Sequence, residues 1–214
     1  MRTARQQVVG FVLSLAVMLL LAGCDGDAGS GRVAQEFPRH DTGTFWTFAE
    51  DSPGADPGTV THTITGTQVY RGQEMLVFER AGRFPDPANN YDRIYLHDAQ
   101  TGNIVVRDLQ GVRKEYDPNN GFYSFPMAVG KTWRATYTVQ EGQDQYEEWV
   151  EREVAAYEQV TVPAGTFMAF RVSITAASYD GFDETYWYAP DVGYVVKFVV
   201  GDFVAELEDW MAGP

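Results

Sequence analysis

Apolar and polar residues alternate in short runs along most of this chain, and glycine, proline, asparagine or aspartate separates one run from the next. Alternation with a period of two is typical of strands with one buried face, and the separating residues are typical of hairpin turns. The runs cover residues 44–48, 60–70, 73–80, 91–97, 103–109, 112–116, 131–139, 167–176, 184–188, 194–200 and 203–207. This pattern predicts an all-β fold, an antiparallel meander that forms a curved sheet or half-barrel.

Residues 146–157 fit two interpretations. Tyr146, Trp149, Val150, Glu153 and Val154 follow the i, i+3, i+4 spacing of an amphipathic helix. The same stretch is rich in β-branched valine and lacks a clear capping residue.

An internal repeat favours the strand for this stretch. Three landmarks recur in the same order at separations of 87 to 93 residues. They are GTFW at 43–46 with GKTW at 130–133, VYRG at 69–72 with VPAG at 162–165, and Tyr95, Gly102, Ile104 and Val105 with Tyr186, Gly193, Val195 and Val196. Residues 153–162 then correspond to the threonine-rich run 60–69, which is unsuited to a helix. We therefore expect a long strand over 149–162, and two duplicated halves, about 41–125 and 126–214, that together bury Trp46 and Trp133.

The amino terminus has the layout of a secretory signal peptide. Arg2 and Arg5 precede an uncharged apolar run at 8–22, which is shorter than a membrane-spanning helix requires. The run ends in Leu21-Ala22-Gly23-Cys24, and this sequence resembles the lipobox of bacterial lipoproteins. The resemblance implies cleavage after Gly23 and acylation of Cys24, which is the one cysteine of the chain.

Three segments follow from this assignment: a lipoprotein signal peptide at 1–23, a lipidated flexible tether at 24–40 and a β domain at 41–214. Acyl chains on Cys24, palmitate among them, would hold the protein stably in a membrane. The expected location is the cell envelope, facing the periplasm or the outside. Asp25 resembles an inner-membrane retention signal of some enterobacteria, and the choice between inner and outer membrane stays open.

The charge of the chain narrows the range of partners. The full sequence has a net charge of −14, and loss of Arg2 and Arg5 with the signal peptide makes it −16. Such a chain repels nucleic acids and anionic lipid surfaces, so we expect no nucleic-acid partner and membrane contact through the acyl tether alone.

The carboxy-terminal third carries a more specific pattern. VPAGTF at 162–167 and WYAPDVGYVVK at 187–197 resemble the "VPAGTF…WYAPxVGxVK" signature of an uncharacterised family of secreted bacterial β-proteins, many of them lipoproteins. The family has no activity to transfer, and the resemblance implies a curved antiparallel sheet similar to the half-barrels of bacterial lipoprotein carriers. The marked residues read as structural, placed in turns and at strand ends: Pro163, Gly165, Phe167, Trp187, Pro190 and Gly193.

Candidate chemistry is sparse. His40, His62 and His97 lack metal-ligand spacing, and we expect His62 to be a surface residue of its strand. His97 and Asp98 are adjacent on a strand, so their side chains point to opposite faces and form no dyad. The acidic turns at 117–121 and 180–184 lack a full calcium-ligand set. We therefore expect no metal, no cofactor and no catalytic residues, and thus no enzyme.

Two functions are favoured, and a hydrolase is a third alternative that ranks below them because no nucleophile–base pair is visible in the sequence. The first is a non-enzymatic envelope lipoprotein whose β domain binds a partner protein or serves in envelope assembly. The second is a carrier or sensor that holds an apolar ligand, such as an acyl chain, on a concave aromatic-lined sheet. A carrier requires a cavity of several hundred Å³, whereas a scaffold would fill that space with Trp46, Trp133 and their neighbours.

Overall fold

A computed structural model describes residues 33–214 of the chain except 53, 55, 110 and 180–182. The signal peptide, Cys24 and the first part of the tether therefore lie outside the described residues. A short 3₁₀ helix spans Pro87–Asn89. The strands are β1 (Phe45–Asp51), β2 (Gly58–Tyr70), β3 (Gln73–Arg83), β4 (Tyr91–Asp98), β5 (Ile104–Leu109), β6 (Val112–Asp117), β7 (Thr132–Glu141), β8 (Asp144–Val162), β9 (Gly165–Ala177), β10 (Glu184–Ala189), β11 (Tyr194–Val200) and β12 (Phe203–Met211).

The strands form one closed antiparallel barrel in which each strand pairs with its neighbours in sequence. Closure comes from β1, which pairs with β2 on one side and with β12 on the other, from Phe45 opposite Met211 to Asp51 opposite Val204. The all-β prediction is confirmed. The sheet closes completely, whereas the sequence predicted a curved sheet or half-barrel. Closure is favourable because pairing the first strand with the last removes both exposed sheet edges.

The interpretation of residues 146–157 as a strand is also confirmed. They lie in β8, a 19-residue strand that pairs with β7 along one side and β9 along the other. The helical spacing of Trp149, Val150 and Val154 has a simple cause. Val150 and Val154 are four residues apart, an even spacing that also puts both on the inner face of a strand, with the buried Arg152 between them and Trp149 on the opposite face.

The twelve strands fall into two sets of six that match in order. Trp46 is the second residue of β1 and Trp133 the second residue of β7. Gly102 and Gly193 lie in the corresponding β4–β5 and β10–β11 connections, both with positive φ. This correspondence agrees with the proposed duplication, which stays a prediction.

Because the strands alternate in direction, the barrel has two distinct ends. The base is the end where β1 begins and β12 finishes, and the mouth is the opposite end. The long connection at 118–131 joins β6 to β7 at the base, and its Phe122 reaches inward to stack on Tyr186 with ring centroids 4.3 Å apart.

Residues 33–40 pack on the base. Ala34 and Met127 exchange backbone hydrogen bonds of 3.0 and 2.8 Å, and Phe37 is buried. His40 packs edge-on against Trp46 at 4.9 Å and contacts the carbonyl of Gly193 at 3.0 Å. The sequence-based end of the tether at residue 40 is therefore too late, since its last eight residues belong to the folded domain.

The buried apolar residues of both halves form one main cluster, which includes Trp46, Phe78, Phe170, Tyr186 and Tyr188. Of the two tryptophans expected to be buried, Trp46 is fully buried and Trp133 is half-buried. Within the described part of the chain, no helix has the length and apolar character needed to cross a membrane.

Candidate functional site

A cavity of about 280 Å³ lies inside the barrel. Its walls are mainly aromatic and aliphatic, with a few polar groups among them. The lining residues are Phe48, Glu50, His62, Arg80, His97, Gly102, Ile104, Phe122, Tyr123, Tyr194, Val195, Phe198, Phe203 and Ala205. They come from strands of both halves, from the β4–β5 connection and from the connection at 118–131, so only the closed barrel assembles them.

A second, smaller cavity of about 70 Å³ adjoins the first. The two share five lining residues, His62, Arg80, His97, Ile104 and Tyr194, and Phe78 and Tyr95 line the smaller one alone. The shared residues make the two cavities a single candidate site.

The tryptophans leave this space open. Trp46 stacks on Tyr194 at 4.3 Å and on Phe78 at 6.0 Å, near the base. Trp133 donates its indole N–H to the carbonyl of Gly121 at 3.0 Å and so holds the 118–131 connection. Neither ring lines the cavity.

His62 faces this cavity, and the expectation that it lies on the surface is wrong. It pairs across the sheet with Trp46, and paired residues share a face. Its Nδ1 lies 3.2 Å from the hydroxyl of Tyr194, whereas its Nε2 is buried with no hydrogen-bond partner among the described residues. Burial, together with the positive charge of Arg80, holds the pKa of His62 well below its usual value, so the imidazole is neutral at pH 7.

His97 lines the same site, and its imidazole is neutral at pH 7. Its ring stacks on Phe78 at 4.0 Å, and its Nδ1 lies 2.9 Å from the carbonyl oxygen of Gly102. Burial lowers the pKa of His97 to about 4, against the raising effect of that hydrogen bond. Asp98 instead accepts the backbone N–H groups of Gln100 and Thr101, so the two side chains act separately, as strand alternation predicts.

Arg80 and Glu50 supply the charge of the cavity. The guanidinium donates to the Glu50 carboxylate at 2.7 Å, and the two side chains are 27% and 10% exposed. Burial would lower the pKa of Arg80, but the neighbouring Tyr95, Tyr91 and Glu50 raise it further, so the group stays charged. The Nε of Arg80 is buried and has no partner among the described residues.

The six marked residues of the signature do not line the cavity, whereas Tyr194 and Val195 of the same 187–197 segment do. Pro163 and Pro190 lie in the β8–β9 and β10–β11 connections, and Gly165 and Gly193 adopt positive φ beside them. A Cβ on Gly193 would meet Pro38 at 2.7 Å, so the close packing of residues 33–40 requires glycine there.

Two aromatic residues among the six marked ones, Phe167 and Trp187, are only partly buried and pack against the main core cluster. The indole N–H of Trp187 donates to Glu158 at 2.9 Å, and Phe167 lies near the start of β9. These placements are compatible with the structural role expected for the signature.

Three of the other candidate metal ligands are used within the fold, and Asp180 lies outside the described residues. Asn119 and Asn120 accept backbone N–H groups of Gly121 and Ile104, and Glu184 pairs with Arg152 at 3.1 Å. Among the described residues, no group of three or more His, Cys, Asp or Glu side chains could hold a metal ion.

No motif or spacing in the sequence marks Arg80, Glu50 or Tyr194 as residues of a site. Alternation along β3 puts Phe78 and Arg80 on the same face of the strand. It does not tell whether that face points into the barrel or out of it. Cross-strand pairing with His62 decides that Arg80 faces inward.

Comparison with known proteins supports the fold. Residues 130–197, about a third of the chain, match the family model described as DUF3108-like. No curated protein matches the sequence.

Two solved structures are similar to the chain. A "putative lipoprotein" from Parabacteroides distasonis has 15% sequence identity and a TM-score of 0.50, over 84% of this chain and 100% of that one. A "putative exported protein with YmcC-like fold" from Bacteroides fragilis has 15% identity and a TM-score of 0.48, over 83% and 99%. The first likeness shows a shared fold, and function must be argued from the site itself.

Proposed function

We propose that this chain is a lipid-anchored envelope protein that binds a small, largely apolar molecule inside its barrel. The observation that carries the proposal is the aromatic-lined cavity of about 280 Å³ between the sheet and the 118–131 connection. Ligand sites are concave and mostly apolar, with a few polar groups that orient the ligand, and this cavity has that composition.

The cavity favours a carrier or sensor over a partner-binding or assembly scaffold, although the sequence by itself favours the scaffold. A domain that only presents its outer surface gains stability from a filled interior, because empty apolar space in a protein core costs about 24 cal/mol per Å³. Trp46 and Trp133 are large enough to occupy part of this space, yet both pack elsewhere.

The cavity chemistry favours binding over hydrolysis. The lining residues that the structure describes include no serine, threonine, cysteine or lysine, the residues most often used as nucleophiles. His62 and His97 are held neutral by burial and contact a tyrosine and a backbone carbonyl, which suits them to orienting a ligand.

The anchor is the second part of the proposal. Acylation of Cys24 would attach the protein near the base, because the described chain begins with Val33 beside the base segment. The residues from Cys24 to Val33 reach at most roughly 30 Å when fully extended. The mouth of the barrel would then face away from the membrane that holds the anchor.

Native mass spectrometry of the full chain, released from non-ionic detergent micelles, tests the cavity. We expect a bound small molecule, or uptake of added lauryl alcohol, in the parent chain. Ala205→Phe should reduce uptake at least tenfold, because Ala205 lines the cavity and the larger ring would occupy it. Ala155→Phe, on the exposed face of β8, is the matched control and should bind like the parent. Equal uptake by both variants, or no uptake by the parent, would overturn the proposal.

A further inference from the structure

Three arginines lie side by side on the inner face of the sheet, next to the cavity. Arg80 of β3 lies directly opposite Arg93 of β4, and Tyr95 of β4 lies directly opposite Arg107 of β5. Paired residues of antiparallel strands share a face, and so do residues two apart on one strand. Arg80, Arg93 and Arg107 therefore form one row, which we call the arginine row. Because Arg80 and Tyr95 line the cavity, the row borders it directly.

The row carries more positive charge than its surroundings neutralise. Arg80 is paired with Glu50, whereas Arg93 and Arg107 make no ion pair with a carboxylate anywhere in the described part of the chain. The guanidinium of Arg93 lies 3.9 Å from the ring centroid of Tyr91. Like charges directly opposite each other in a sheet are destabilising, since their Cβ atoms are only about 5 Å apart.

Each arginine of the row also has an unused donor. The Nε atoms of Arg80, Arg93 and Arg107 are all buried, and none has a hydrogen-bond partner among the described residues. A buried donor without a partner is destabilising because it has given up its hydrogen bonds to water, so three in one row call for an acceptor supplied from outside the chain.

The other acids on this face leave Arg93 and Arg107 without an ion pair. Glu141 of β7 accepts from Lys114 at 2.7 Å, and this hydrogen bond, with a smaller effect of the Arg107 charge, lowers the pKa of its carboxyl. Asp144 and Glu148 of β8 lie opposite Glu141 and Tyr137. None of the three forms an ion pair with Arg93 or Arg107. The chain has 30 acidic and 16 basic residues, so acidic side chains that could neutralise the arginine row are plentiful. A row in which two arginines lack a carboxylate partner is therefore unexpected.

We propose that the arginine row binds the anionic headgroup of an amphipathic ligand, a carboxylate or a phosphate monoester, while the apolar part of that ligand occupies the cavity. Guanidinium groups present paired N–H donors that match the oxygen atoms of both headgroups. The inference rests on the proposed ligand-binding function and adds the chemical class of the ligand.

Three probes with the same hydrocarbon chain test the headgroup: laurate, lauryl phosphate and lauryl alcohol. Binding to the full chain is compared by native mass spectrometry from identical non-ionic micelles, so that partition into detergent is the same for every variant. We expect the parent chain to bind laurate or lauryl phosphate at least tenfold more tightly than lauryl alcohol. The tighter of the two anions identifies the headgroup.

The double variant Arg93→Gln with Arg107→Gln should lose at least tenfold in binding of the anion and keep its binding of lauryl alcohol. The control variant, Arg39→Gln with Arg134→Gln, changes the net charge equally at exposed positions and should bind like the parent. Relief of like-charge repulsion should leave the thermal unfolding midpoint of the double variant no lower than that of the parent. If the double variant fails to fold, the ratio of anion binding to alcohol binding in the parent chain still tests the headgroup assignment.

The outcomes separate the two proposals. Equal binding of alcohol and anions by the parent would overturn the headgroup assignment and leave the cavity proposal standing. A double variant that folds and keeps the anion preference would overturn the headgroup assignment in the same way. Failure of the parent to bind any of the three probes would overturn the cavity proposal itself.

Discussion

Phe37 gives the sharpest test of where the folded domain begins. Its side chain is 5% exposed, and its ring lies 5.3 Å from His40, 5.7 Å from Tyr123 and 6.2 Å from Phe125. It also packs so closely on the β4–β5 connection that a Cβ on Gly102 would meet it at 2.4 Å. Phe37→Ala would empty this site, and truncation of a buried phenylalanine costs about 3–5 kcal/mol.

Urea unfolding of the full chain, followed by tryptophan fluorescence, measures the effect of Phe37→Ala. We expect a lower midpoint at an unchanged slope, because the variant loses stability without a change in the surface exposed on unfolding. Glu36→Ala is the control, since Glu36 is exposed next to it and should change stability by less than about 0.5 kcal/mol. If residues 33–40 were a flexible tether, Phe37→Ala and Glu36→Ala would have the same free energy of unfolding. A loss of unfolding free energy below about 1 kcal/mol for Phe37→Ala would refute the packing described for residues 33–40.

Two further predictions concern a buried histidine and the anchor. His97 has a pKa of about 4 in the folded state and about 6.5 when unfolded, so the unfolded chain binds more protons between these values. Stability should therefore fall as the pH drops from 6.5 to 4, with His97 contributing a loss of about 3 kcal/mol, and urea midpoints of His97→Phe should fall less steeply. A parallel pH dependence of parent and variant would contradict this. Cys24→Ser should abolish incorporation of labelled palmitate, and labelling that persists would exclude the lipoprotein assignment.

Local strand structure was largely readable from the sequence. The run at 194–200 coincides with β11, and the long strand expected over 149–162 lies within β8. Alternation and turn residues depend on neighbours only a few positions apart, so the chain displays them directly. The error at residues 33–40 has the same origin, because Phe37 is an isolated aromatic residue that follows the small polar run 26–31, and its segment resembles a linker until the base of the barrel is present to bury that ring.

The candidate site was the least predictable part. His62 was expected on the surface because it lies among threonines, and only its pairing with Trp46 turns it inward. The cavity also depends on Phe122 and Tyr123, from a connection that looked like a turn with calcium-type ligands. No short sequence motif encodes such contacts between distant segments.

What the sequence alone determined is the strand content, the turns between strands and the predicted lipidation at Cys24, since each depends on neighbouring residues. Tertiary structure decided the closure of β1 on β12, the inward face of each strand and the alignment of Arg80, Arg93 and Arg107. The physical reason is register: a shift of one residue between strands would turn every one of these side chains to the other face.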